Sequence, residues 1–185
     1  AERNCAIAGS VAVCENGNYY NRFYFVHPDG AVQHYDKKHL FTFGGEHKRF
    51  TAGTERVVVN FRGVRILLEV CYDLRFPVWS RNLGDYDMIL YVASWPTPRV
   101  DAWSALLRAR AIENQCYVAG VNRMGTDPTC EYSGGSAIID PYGKTIAECP
   151  WSRESAVSAD IDMEALQAFR KKFPVLDDAD PFTLI

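Results

Sequence analysis

Val64-Arg-Ile-Leu-Leu-Glu-Val-Cys-Tyr-Asp-Leu-Arg-Phe-Pro77 is the stretch in which the chain passes from one kind of structure to another. Val64 to Val70 reads as a strand. Phe76-Pro-Val-Trp-Ser-Arg-Asn-Leu83 has helical spacing, with a proline in its first turn. Cys71 stands at the corner between them, where a side chain is pushed out of the sheet and faces a helix N-terminus. The positive end of the helix dipole favours thiolate over thiol, and strand-to-helix corners expose nucleophiles in this manner. A lone cysteine is more often a small buried hydrophobe. The charged neighbours Asp73 and Arg75, and the partners identified below, argue instead for a reactive thiol.

Upstream of this corner the pattern is β. Ala6 to Val13 is an apolar run and Tyr19 to Val26 is rich in aromatics, with the turn signal Glu15-Asn-Gly-Asn18 between them. Pro28-Asp-Gly30 is a second turn, leading into 31–36. Val57 to Phe61 and Val64 to Val70 flank Arg62-Gly63, another hairpin. Downstream the pattern alternates. Pro77 to Asn82 is helical, and 87–93 is a continuous apolar run, as a strand buried on both faces requires. The spacing predicts a helix over 101–114, with Asp101 as N-cap and positions 103, 106, 107 and 111 on one face. A buried strand follows at 116–121, then a hairpin over 136–148, a last strand over 155–161, and a helix over 162–172 capped by Asp162. Antiparallel hairpins mixed with β-α-β units point to one α/β layered domain over residues 1–185.

Composition narrows the function. The chain has 185 residues, 48% of them hydrophobic, and a net charge of -3. No basic run is present, which argues against nucleic acid as a partner. No apolar stretch is long enough to span a bilayer, and the opening residues read as a strand and not as a secretory leader. Cys5, Cys14 and Cys116 lie in strand-like runs and no Cys-x-x-Cys pair occurs. Reduced cysteines in a cytoplasmic protein are the expectation. His27, His34, His39 and His47 lack metal-ligand spacing, and no glycine-rich nucleotide motif is present. No cofactor and no metal are expected.

Three segments together resemble the carbon–nitrogen hydrolase (nitrilase) superfamily: Tyr35-Asp-Lys-Lys-His-Leu-Phe41, Val70-Cys-Tyr-Asp-Leu-Arg-Phe-Pro77, and Arg108 to Arg123 followed by Tyr132 to Gly143. The segment Gly45-Glu-His-Lys-Arg-Phe-Thr-Ala-Gly53 and the ending Arg170 to Asp180 are most similar to the omega-amidase branch. The resemblance implies an αββα layered sandwich carrying a Glu-Lys-Cys triad, with no metal. It implies that Cys71 is the nucleophile and that Lys37 stabilises thiolate and oxyanion. The backbone N–H of Tyr72 would be a second oxyanion donor, and Glu46 an auxiliary carboxylate that bonds Lys37 or the substrate and orders water. These roles suit the chemistry, since an amide carbonyl is a poor electrophile that needs a thiolate and a charged oxyanion partner. Lys38 reads as a surface residue and His47 as scaffolding. Arg75 either braces Asp73 or another carboxylate, or grips a substrate carboxylate. Trp95 either lines the pocket or belongs to the core. The implied reaction is hydrolysis of a small omega-amide of a dicarboxylic acid, of the 2-oxoglutaramate or 2-oxosuccinamate type, through a cysteine thioester with release of ammonia. A homodimer joined through helices, the 101–114 helix among them, is also implied.

Two departures from the family pattern matter. Its catalytic base is a glutamate that precedes the lysine, and here only Glu2 and Glu15 do so. The expectation is therefore of a chain lacking the first two β-α units, roughly 60 residues at about 30 each, with exposed apolar faces and weak or no activity of its own. Glu69, one residue before Val70, stands where the family has a neutral residue, and a buried anion there would raise the thiol pKa. Gly135 stands where an acidic residue is common. Three other readings stand beside the amidase: a binding or interaction protein that keeps the thiol pocket without the base, a nitrilase or carbamoylase of the same superfamily, and a Cys-His hydrolase with His39 as base.

Overall fold

The computed structural model describes residues 3–183. Its first sheet is an antiparallel meander of β1 (Ile7–Glu15), β2 (Asn18–Val26) and β3 (Val32–Asp36). Asn16 and Gly17, with φ of 51° and 79°, close the first hairpin and pair Glu15 with Asn18, a two-residue turn whose twist matches that of the strands. Arg62 and Gly63, with φ of 53° and 81°, do the same between β4 (Val58–Phe61) and β5 (Val64–Val70).

The second sheet has six strands in the order β11 (Thr145–Glu148), β10 (Ala137–Ile139), β7 (Tyr117–Asn122), β6 (Met88–Ala93), β5 and β4. Its centre is parallel, β5 beside β6 and β6 beside β7. The hairpin of β10 and β11 continues it antiparallel. Both faces of this sheet are covered, which accounts for the continuous apolar runs of its central strands. On one face Ile66, Leu68 and Val70 meet Phe23, Phe25 and Tyr35 of the meander. On the other, Leu67, Ile89, Tyr91 and Val118 meet Trp103, Leu107 and Ala111 of α2 (Val100–Glu113). This is the expected α/β sandwich of sheet on sheet with helix outside. The outer face of the meander carries Ile7, Val11 and Val32, all exposed.

Four local readings are corrected. Residues 155–161 take no ladder partner among the described residues, and most are exposed. Their alternation has no core face to meet. Asp101 is not the cap of α2: a 3-10 turn over Thr97–Arg99 feeds directly into the helix, placing the cap at Arg99 and Asp101 in the first turn. The helix after Cys71 is short, with a 3-10 segment Cys71–Arg75 and then α1 (Pro77–Ser80). A small hairpin of β8 (Met124–Thr126) and β9 (Glu131–Ser133), which sequence did not suggest, stands apart from both sheets. The cap of α3 (Met163–Lys172) is as expected, Asp162 Oδ1 accepting from the Ala165 N–H at 2.8 Å.

Gly135 has a structural reason. Its φ is +79°, and an added Cβ would lie 2.3 Å from the Trp151 ring. Its carbonyl accepts from Trp103 Nε1 at 2.8 Å. A side chain at 135 would strain the backbone and displace Trp151.

Candidate active site

Cys71 directly follows β5 and opens the 3-10 turn with φ of +50°. Such a conformation is costly for a residue with a Cβ and persists where the surroundings enforce it. The enforcement comes from Asp73. Its carboxylate accepts from the Val70 N–H at 3.0 Å, from the Tyr35 hydroxyl at 2.8 Å and from the His39 N–H at 2.9 Å. One buried anion thus ties the corner to the end of β3. As second residue of the turn, Tyr72 has an N–H with no acceptor inside the helix, and the residue lines the cavity beside Cys71.

Lys37 follows β3 directly. Its N–H donates to Asn21 O at 3.0 Å, and its carbonyl accepts from the Gly53 N–H at 2.9 Å. The side chain is buried and its Nζ lies 2.6 Å from Glu46 Oε2. Glu46 is fully engaged: Oε2 also accepts from the Phe41 N–H at 2.6 Å, and Oε1 accepts from Asn21 Nδ2 at 3.3 Å.

These groups converge on a cavity of about 820 Å³ at the C-terminal ends of β5, β6 and β7, roofed by the meander, within the range that holds small-molecule ligands. Cys71, Lys37, Glu46, Tyr72 and Trp95 all line it. Trp95 is also part of the core, packed 5.5 Å from Trp103, so its two readings are both true. Asn122 fixes its backbone, Oδ1 accepting from the Trp95 N–H at 2.7 Å and Nδ2 donating to Trp95 O at 3.0 Å.

Arg75 is the one expected site residue that the structure sets apart. It is exposed, does not line the cavity, and its guanidinium lies 4.9 Å from the centre of the Trp95 ring. Asp73 has no room for it, since its oxygens are taken by Tyr35, Val70 and His39. His39 is scaffolding: its ring stacks on Phe76 at 3.8 Å and its Nδ1 lies 2.8 Å from Asp73 Oδ1. Lys38 sits over Trp79, and His47 is exposed. Glu15 is held by Arg22 at 3.0 Å and does not line the cavity; Glu2 lies outside the described residues.

The thiol's electrostatics differ from expectation. Burial pushes the Cys71 pKa above the ordinary thiol value, and the Lys37 charge offsets only part of this. A five-residue 3-10 turn supplies too little dipole to reverse it. Glu69 is fully buried. Burial, followed by the nearby Asp73, holds its pKa well above the usual carboxylate range. It accepts from Ser80 Oγ at 3.1 Å.

Several lining residues were not singled out from sequence: Asn21, Phe41, Arg99, Arg123, Cys130 and Tyr132. Arg123 and Tyr132 fall inside the quoted segments, but nothing in their spacing marks them as facing Cys71.

The carbon–nitrogen hydrolase profile matches residues 1–171. Omega-amidase YafV of Escherichia coli is 54% identical over 182 residues, covering 98% of this chain and 71% of that protein. The 2-oxoglutaramate amidase of Bacillus subtilis is 42% identical over 175 residues, covering 93% of this chain and 67% of that protein. The crystal structure of XC1258 from Xanthomonas campestris, a CN-hydrolase superfamily protein with an arsenic adduct in its active site, superposes with a TM-score of 0.95 at 46% identity. It covers 98% of this chain and 72% of that one. None of these matches supports the expectation that an N-terminal part is lacking. The chain belongs to the carbon–nitrogen hydrolase (nitrilase) family, on its omega-amidase branch, and is a hydrolase of carbon–nitrogen bonds other than peptide bonds.

Proposed function

We propose that this protein hydrolyses the terminal amide of a small dicarboxylic acid monoamide, of the 2-oxoglutaramate or succinamate type, through a thioester on Cys71. The observation that carries the reading is the convergence of Cys71, the Lys37–Glu46 pair and the Tyr72 N–H on one cavity. Similarity to enzymes named for omega-amides supports the substrate class. Cys71 Sγ attacks the amide carbon, and the oxyanion is held by Lys37 Nζ and the Tyr72 N–H. The C–N bond then breaks, and ammonia leaves carrying the thiol's proton. Water adds to the thioester, the C–S bond breaks, and a carboxylate and the free thiol result.

Glu46 is the one carboxylate lining the cavity among the described residues, and both its oxygens are occupied. A carboxylate so satisfied is a poor acceptor for the Cys71 proton. Its role is to orient Lys37, which leaves no free carboxylate beside Cys71 among the described residues. Turnover is accordingly weak.

Hydroxylamine tests the thioester, because it intercepts acyl groups on sulfur. Succinamate with hydroxylamine should yield the hydroxamate with the wild-type chain and none with Cys71→Ser. No hydroxamate from either, in folded samples, favours the binding-protein reading.

A further inference from the structure

The charge balance of the cavity is uneven. Its lining includes one acidic side chain, Glu46, and three basic ones, Lys37, Arg99 and Arg123. Glu46 is committed to Lys37 at 2.6 Å. Neither Arg99 nor Arg123 has an ion-pair partner among the described residues. The cavity thus carries two uncompensated guanidinium groups in a chain whose net charge is -3. Guanidinium is the side chain best suited to gripping a carboxylate with paired hydrogen bonds.

An aromatic ring lies beneath each guanidinium group; Arg99 is half-buried, and Arg123 is exposed with Nη2 donating to Thr126 O at 3.4 Å. Arg99 sits where the 3-10 turn enters α2, with its guanidinium 5.4 Å from the centre of the Phe41 ring. Its carbonyl accepts from Trp95 Nε1 at 2.7 Å, which fixes it to a wall residue of the cavity. Arg123 follows β7 and lies 4.4 Å over the Tyr132 ring, and its N–H donates to Ala93 O at 3.0 Å. Strand β9, which carries Tyr132, packs against the turn that carries Arg99. The segments carrying the two cations are therefore neighbours on the cavity wall.

We infer that Arg99 and Arg123 form a carboxylate clamp that binds the acid end of the substrate while its amide end meets Cys71. This rests on the proposed reaction and adds what selects the substrate: an anionic far end, not chain length alone. The clamp also supplies orientation. An amide tethered at its far end by paired hydrogen bonds has fewer ways of missing the thiol. Aromatic faces beneath both guanidinium groups hold them in place without neutralising them, and the field of an unneutralised pair draws anions into the cavity. Arg75, the arginine that the sequence offered for this task, lies outside it.

Protection of Cys71 from iodoacetamide, read on the Cys71 peptide by mass spectrometry, tests the clamp without needing turnover. Succinate and butyramide are the two probes, of equal carbon count but with and without the negative charge. In the wild-type chain succinate should half-protect Cys71 at a concentration at least tenfold below that of butyramide. In Arg99→Gln and Arg123→Gln that ratio should fall tenfold or more, with circular dichroism confirming the fold. Equal protection by the two probes in the wild type, or an unchanged ratio in the double variant, overturns the inference. Failure of the proposed hydrolysis is seen separately, as absent Cys71-dependent hydroxamate from succinamate while the protection pattern persists.

Discussion

At position 71 two requirements oppose each other: the thiol must be enclosed to exclude water, and enclosure disfavours its anion. Burial wins, and Lys37 limits the loss. Alkylation of Cys71 should therefore rise with pH beyond the ordinary thiol range, and Lys37→Met should move that profile further up, as pH-dependent labelling of the Cys71 peptide will show. The same variant should lower turnover about 10²–10³-fold, the usual loss for one oxyanion donor. Glu69 gives a stability prediction of definite sign. Its folded pKa is raised, so its contribution is fully present below its ordinary value near 4.5 and is lost as pH rises towards the folded value. Glu69→Gln, neutral at every pH, should raise Tm at pH 8 by roughly 2–4 °C per kcal/mol gained and leave it unchanged near pH 4. An equal Tm for both proteins across that window would show that Glu69 is ionised in the fold.

Among elements, β7 packs closely on α2 at Gly120. An added Cβ at Gly120 would lie 2.5 Å from Leu107 and 2.8 Å from Trp103. Gly120→Ala should destabilise by about 1–3 kcal/mol through overpacking, measured by urea denaturation. The elements legible in the sequence were those whose signal is local. Asn16-Gly17 and Arg62-Gly63 marked their hairpins by the need for positive φ, and the α2 face showed as 103, 106, 107 and 111, of which Leu106 is only partly buried and the others fully. What depends on distant partners was not legible. The pattern of 155–161 looks like a strand until no neighbour is found for it. The three-residue strands of the 124–133 hairpin are too short to show a period. Cys71, Lys37 and Glu46 could be named because motif segments carried them. The placing of Arg99 on the cavity wall and of Arg75 outside it follows from how a 3-10 turn meets α2, which no spacing reveals.

On the scale of the whole molecule, the sandwich places its cavity where the parallel strands end and the meander closes over them. None of the helices described is long and apolar enough to cross a membrane. Beside α2 the exposed Ile112 and Tyr142, with Phe173, form an apolar surface around the β10–β11 hairpin, and we propose that a homodimer forms there. Ile112→Asp should shift the sedimentation coefficient from dimer to monomer; an unchanged coefficient would remove α2 from the interface. The central claim, that Cys71 performs amide hydrolysis in this cavity, is tested most directly by ammonia release from succinamate, wild type against Cys71→Ser. The account predicts slow, saturable release from the wild type and none from the variant. Release that survives in Cys71→Ser, or none from a folded wild-type chain, would contradict it.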